Sequence, residues 1–208
     1  MRDYQQWHRG YDDPGSVLSW RLVRVQDHIR AVLDTRTGAL RVLSLCSGDG
    51  RDVSDVVSQR ADAARLTVTF VELDPDIADQ ARRRAAAAGL AHAEVRVADA
   101  GDTSTYADAV PADLVLLVGI LGNITVDDIR ATIAAAPQLC APGATLLWSR
   151  GRDQGDLNHD VRRWFAEAGF SELDYQAHES PDGPALGSLR YDGPPQPLEP
   201  TQLFTFLR

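Results

Sequence analysis

Three groups in this chain have the types and spacing to hold a nucleoside. The run Cys46-Ser47-Gly48-Asp49-Gly50-Arg51-Asp52 sits between an apolar segment and a helical one. Glycines one residue apart let the backbone turn sharply and approach a ligand that a Cβ would obstruct. The amides that open the next helix suit a carboxylate or a phosphate. Alone, the pattern is an ordinary tight turn between strand and helix. Glu72 ends the next apolar run, where a carboxylate can accept hydrogen bonds from both hydroxyls of a ribose. Alone, it is an exposed acid at a strand end. Asp99, in Val97-Ala98-Asp99-Ala100, follows a third run and offers an acceptor for the exocyclic amino group of an adenine. Its weight comes from being third in order. Asp74 reads as a helix cap rather than a ligand group.

The same residues discriminate between ligands. A dinucleotide fingerprint needs a small residue three places after the second glycine, for close helix packing, and Val53 stands there. A phosphate-binding loop of the lysine type cannot form, because all 21 basic residues are arginine.

These groups need strands to carry them. Apolar or β-branched runs at Arg41–Leu45, Leu66–Glu72, Glu94–Ala98, Asp113–Val118 and Ala144–Trp148 read as buried strands. Helices are expected between them: Asp52–Arg60, one opened by Asp74-Pro75 and closed by Gly89, one capped by Thr125, and Leu157–Ala168. Phe170–Tyr175 and Gln202–Phe206 alternate better, as strands near a sheet edge do. Ahead of them, Leu18, Leu22, Val25, Ile29 and Val32 mark a helix that Gly38 ends. The expectation is an α/β, doubly wound, mostly parallel seven-stranded sheet with helices on both faces and an N-terminal helical appendage. Residues 1–38 form the lid or helical segment, and residues 39–208 the Rossmann-like domain. Ligands of such sheets lie at the carboxyl ends of the strands.

Composition narrows the partners. The 208 residues are 44% hydrophobic and 25% charged, within the range of one globular domain. A net charge of −9 argues against nucleic acid, whose binders neutralise phosphates with clustered basic residues. Arg82-Arg83-Arg84 falls in an expected helix and fans round its axis, which reads as a solvated face. No run of about 20 apolar residues offers a membrane span. Cys46 and Cys140 are too few for a disulfide framework and lack metal-ligand spacing. The chain reads as cytoplasmic, without metal.

Taken together, the motifs resemble those of the class I S-adenosylmethionine-dependent methyltransferase family. The resemblance runs from about Arg41 to Phe206. Val42 to Arg51 is similar to the family's glycine-rich first motif, Phe70-Val71-Glu72-Leu73-Asp74-Pro75 to its ribose-binding second, and Val97-Ala98-Asp99-Ala100 to its adenine-binding third. Asp113-Leu114-Val115-Leu116-Leu117 resembles the fourth strand. Leu139 to Leu146 resembles the proline-glycine turn into the fifth, Phe165 to Phe170 the turn after the next helix, and Leu203 to Phe206 a terminal strand. The resemblance implies S-adenosylmethionine as cofactor, held by Cys46, Ser47, Gly48, Gly50, Glu72, Leu73, Asp99, Ala100, Gly119 and Ile120. It also implies in-line methyl transfer to an oxygen or nitrogen nucleophile. Ser44 stands where the family usually has an acid, and Cys46 where it usually has a first glycine. Cys46 therefore points to a different turn and a structural thiol.

The acceptor is not specified by these motifs; a small molecule is the expectation, with Tyr11, Trp20, Asn123 and Arg150 as candidates to bind it. Asn123 either orients an acceptor or bonds the loop backbone. Tyr4, Trp7, Tyr11 and Trp20 either line a lid or pack the appendage onto the domain. Asn123 and Tyr11 are also the candidates for a catalytic role. Arg150 and Arg152 suit an anionic substrate group. Two alternatives keep the fold: a sensor that binds S-adenosylmethionine without catalysis, and a nicotinamide-dependent oxidoreductase, against which Val53 speaks.

Overall fold

Alternate residues of each central strand enter opposite cores, which is why the strands read as continuous apolar runs. Along Leu40–Leu45 (β1), Leu40 and Val42 face one core while Leu43 and Leu45 face the other. Leu114 and Leu116 of Ala112–Leu117 (β4) divide from Val115 and Leu117 in the same way. The computed structural model describes residues 9–13, 15–153 and 155–207.

The remaining strands are Leu66–Glu72 (β2), His92–Val97 (β3), Cys140–Arg150 (β5), Phe170–Ala177 (β6) and Ala185–Tyr191 (β7). They form one sheet in the order β3-β2-β1-β4-β5-β7-β6, parallel except for β7, which runs antiparallel to both neighbours. The helices are Val17–Thr35 (α1), Arg51–Val57 (α2), Pro75–Ala87 (α3), Val126–Leu139 (α4) and Asn158–Glu167 (α5). Helix α1 contributes Val25, Ile29, Val32 and Leu33 to one core, with α2 and α3 beside it. Helices α4 and α5 fill the other with Ile129, Ile133, Val161 and Phe165. The doubly wound, mostly parallel sheet expected from the sequence is the observed one.

Helix starts follow their caps. Asp74 accepts the amide hydrogens of Asp76 and Ile77 ahead of Pro75, and Thr125 accepts that of Asp128. Each satisfies amides that the first turn leaves without a helical partner. Helix α2 is shorter than expected, beginning at Arg51 and ending at Val57.

One strand is misassigned by the sequence. Residues Gln202–Phe206 do not form a strand; Gln202 makes only an isolated bridge to Asp102. The seventh strand is β7, hidden in the sequence by Gly187-Ser188 and by the turn-rich Ser180-Pro181-Asp182-Gly183-Pro184 before it. The glycine has a packing cause. Gly187 lies opposite Trp148 of β5, and a Cβ there would come within 2.2 Å of the indole nitrogen. Trp148 thus takes the space a side chain would need. The tail instead packs across the loop after β3: the Leu203 amide donates to the Gly101 carbonyl at 2.7 Å, and the Leu207 amide to that of Asn123 at 2.8 Å. Among the described residues no helix is long and apolar enough to cross a membrane.

Candidate functional site

The carboxyl ends of β1, β2 and β4 and the loop after β3 surround a cavity of about 340 Å³. Its floor is the turn after β1. Cys46, Gly48 and Gly50 have φ of 50°, 57° and 72°. A non-glycine residue in this region is uncommon, so Cys46 gives the turn its distinct shape. Burial pushes its thiol up, and Glu72 and Asp99 push further, so it stays protonated. Gly50 itself caps α2 and packs on Phe70, whose ring a Cβ would approach to 3.2 Å.

Glu72 ties the floor to the wall. Its carboxylate accepts the Gly48 amide hydrogen at 2.9 Å and that of Asp74 at 3.0 Å. Burial raises its pKa against these two bonds. Both oxygens keep lone pairs for further donors. Beside it, Leu73 lines the cavity although it is 65% exposed, an apolar side chain left open at the mouth. Asp99 accepts from the Gly101 amide at 2.8 Å and from Gln202 Nε2 at 3.1 Å. Ala100 and Ile77 complete this end.

The opposite end is polar and charged. Gly119 and Asn123 line it from the loop after β4, and the Asn123 side-chain amide donates to the Gly119 carbonyl at 2.8 Å. Tyr11 enters from a short 3-10 turn, Arg9–Asp12, that precedes α1. Its hydroxyl accepts from Arg21, and its ring lies under the Arg51 guanidinium at 4.6 Å. Asp49 is nearly inaccessible. Arg51 grips it through Nε and Nη2, the latter at 2.7 Å, and Arg84 adds a bond at 3.1 Å. Burial alone would raise the Asp49 carboxyl, but the guanidinium groups hold it below its usual range. Asp52, on the first turn of α2, shifts the other way: burial pushes its carboxyl up to about 6.

Of the residues singled out from the sequence, Cys46, Ser47, Gly48, Glu72, Leu73, Asp99, Ala100, Gly119, Tyr11 and Asn123 line this cavity. Gly50 and Ile120 are not on its described lining; Ile120 points wholly into the core. Trp20 is elsewhere, in a shallow groove with Arg24 and His178, edge-on to the His178 ring at 5.4 Å. Arg150 is also not on the lining. It is buried and donates to the carbonyls of Gly151 and Gly155 at 2.8 Å, holding the loop after β5. Arg152 likewise donates to backbone carbonyls of residues 178–183. Tyr4 and Trp7 lie outside the described residues. The Arg82–Arg84 run is not simply a solvated face either, since Arg84 braces Asp49 and Asp55.

Sequence reasoning missed Arg21, Asp52 and Phe206, all on the lining. Arg21 carried a signal: it lies three residues after Leu18 and four before Val25, on the apolar stripe of α1, where a charge needs a reason. Phe206 carried none, because only the path of the tail brings it there.

Comparison with known proteins bears on the fold. The family described as methyltransferase domain matches residues 42–143. A comparison with curated protein sequences finds no match. Among solved structures, the chain is similar to magnesium protoporphyrin IX methyltransferase from Synechocystis PCC 6803 with bound S-adenosylmethionine. The identity is 15%, 92% of each chain is covered, and the TM-score is 0.70. It is similar to a TehB-like S-adenosylmethionine-dependent methyltransferase from Corynebacterium glutamicum at 15% identity, covering 92% of this chain and 97% of that one, TM-score 0.60. The [4+2]-cyclase SpnF is also similar, at 14% identity and 81% of each chain, TM-score 0.59. At these identities the likeness is one of fold, and a fold hosts more than one chemistry.

Proposed function

We propose that this chain, which carries a methyltransferase domain of the class I type, is an enzyme that transfers a methyl group from S-adenosylmethionine to a nucleophile on a small molecule. The observation that carries this reading is the placement of Glu72. Its carboxylate is fixed by two backbone amides on the cavity wall, between the glycine turn and the open Leu73. That arrangement suits a vicinal diol with a flat base beside it. Gly48 and Gly119, at φ of 57° and 79°, leave the backbone bare where the ligand would pass. Val53, where a dinucleotide fingerprint has a small residue, is packed into the core.

When bound, the cofactor supplies a methyl group on a sulfonium, already a good leaving group. The chain's residues then have to align the nucleophile and exclude water. Alignment of this kind lowers barriers by about 7–11 kcal/mol. Asn123, held by its own loop, and Tyr11, held between Arg21 and Arg51, are the groups we place against the acceptor. The turn carrying Tyr11 is read as part of a lid over this end. Supporting a small acceptor rather than nucleic acid are the modest cavity and the charge of −9. Both cysteines are unpaired, in keeping with a reducing cytoplasm. The test is to identify any co-purified ligand by mass spectrometry, then screen metabolites for a mass gain of one methylene. Specific methylation of RNA or DNA instead would contradict the small-molecule reading.

A further inference from the structure

Seven large apolar side chains stand exposed among the described residues, and five of them lie at the carboxyl edge of the sheet, where the cavity opens. Leu73 lines the cavity, and Val97 ends β3 in register with Glu72. Val17 opens α1, beside the turn that carries Tyr11. Val126 opens α4 three residues after Asn123. Leu207 follows Phe206, with its amide on the Asn123 carbonyl at 2.8 Å. Val23, further along α1, and Leu173, at the irregularity in β6, are the two that lie elsewhere. Apolar side chains scattered singly over a surface need no cause, but a gathering at one opening does.

These side chains form two banks. Leu73 and Val97 border the Glu72 side, where the nucleoside would lie. Phe206, Leu207 and Val126 border the Asn123 side. The second bank has a firm backing, because the Phe206 ring rests 5.7 Å from that of Phe204, which is buried in the core. Leu207 is 56% exposed on it and Val126 44%. Charge narrows what could cover this surface. The cavity lining carries five acids, Asp49, Asp52, Glu72, Asp74 and Asp99, against two arginines, Arg21 and Arg51. Asp127 and Asp128 follow Val126 on the first turn of α4. Arg150 and Arg152, which an anionic group would need, are off the lining and donate to backbone carbonyls. We propose that the acceptor is a lipophilic molecule without negative charge, whose apolar body lies on Phe206, Leu207 and Val126 beside Asn123. The inference rests on the methyltransferase reading and names the substrate class for the same site. Removing apolar surface of both partners from water supplies the affinity, and the surrounding acids repel an anion.

The test uses two dyes that share a skeleton, neutral phenylnaphthylamine and its sulfonated counterpart, anilinonaphthalene sulfonate. Fluorescence titration of the full chain in the presence of S-adenosylhomocysteine should show saturable binding of the neutral dye, with the sulfonate at least about tenfold weaker. Val126→Asp combined with Leu207→Asp should weaken the neutral dye by about tenfold or more, since each sets a charge where apolar surface would be covered. Val23→Asp combined with Leu173→Asp, at the two exposed sites away from the mouth, should leave it unchanged. Both pairs should keep the fold: all four side chains are exposed, and a carboxylate at the first position of α4 suits the helix dipole. Affinity for S-adenosylhomocysteine, read by calorimetry, should be the same in the mouth variant as in the parent. Dye binding that ignores the mouth variant, that favours the sulfonate, or that fails while S-adenosylhomocysteine binds, overturns the proposal alone. So does a parent that dimerises in gel filtration, or sediments with phosphatidylcholine vesicles, through Val126 and Leu207, because the bank is then a docking surface. A parent that does not bind S-adenosylhomocysteine overturns the methyltransferase reading and this one with it.

Discussion

The Glu72 carboxylate accepts the backbone amide hydrogen of Gly48 at 2.9 Å, joining the end of β2 to the turn that follows β1. With its other oxygen on the Asp74 amide, it also fixes the entry to α3. One side chain thus shapes both floor and wall of the site before any ligand arrives.

Replacing it should therefore do two things at once. Glu72→Ala leaves the Gly48 amide without its acceptor, at a cost of about 1–3 kcal/mol in urea unfolding. The same variant should bind S-adenosylhomocysteine at least about tenfold more weakly, and Glu72→Gln, which keeps one acceptor oxygen, should fall between. Unchanged binding by Glu72→Ala would remove its role at the ribose.

Asp52 should lower stability near neutral pH. Its folded pKa, raised to about 6, lies above the unfolded value of about 3.9. Below about pH 4 both states hold the proton and nothing is lost; the penalty on the folded state grows between about pH 4 and about pH 6 and is complete above that. A two-unit shift corresponds to about 2–3 kcal/mol, reduced to about 1–2 by the water this group still meets. Asp52→Asn should thus stabilise the ligand-free protein near pH 7.5 and not near pH 4, as read by thermal melts at both. A destabilised variant at the higher pH would mean that Arg21 and Arg51 outweigh burial.

Gly101 should govern the tail. A Cβ there would meet the Phe204 carbonyl at 2.2 Å. Gly101→Ala is expected to release residues 202–207 from the loop after β3 while sparing the sheet, which has no strand in that segment. Limited proteolysis should show faster cleavage near the C-terminus. Cofactor affinity should fall with the loss of Phe206 from the cavity wall. Protease resistance equal to the parent would show that the tail tolerates the shift.

Most of the fold was legible because burial on both faces makes strands apolar throughout, and because Asp74, Thr125 and Pro75 mark helix starts chemically. The seventh strand was not, since Gly187 answers to Trp148 across the sheet, and that contact has no local signature. The glycine turn, Glu72 and Asp99 on the cavity lining could be read from residues that follow strands. The rest was read only in part: Tyr11 and Asn123 line the cavity, but Arg150 and Trp20, plausible by position, turn to a loop and to another groove, while Arg21 and Phe206 arrive from segments distant in sequence.

The N-terminal turn offers a separate test. Helix α1 keeps its own core contacts through Val25, Ile29 and Val32 without it. Deleting residues 1 to 13 should leave unfolding cooperative and nucleoside binding largely intact, while turnover drops sharply once an acceptor is known. Loss of folding would make Tyr11 and its neighbours structural packing instead of a lid.

The central claim is that the cavity over Gly48 and Glu72 belongs to an S-adenosyl cofactor. Titration calorimetry of the intact chain with S-adenosylhomocysteine and with NAD tests it most directly. Saturable binding of one S-adenosylhomocysteine per chain is expected, abolished or strongly weakened in Glu72→Ala, with NAD far weaker. Preferential binding of NAD, or S-adenosylhomocysteine binding that ignores Glu72, would contradict it.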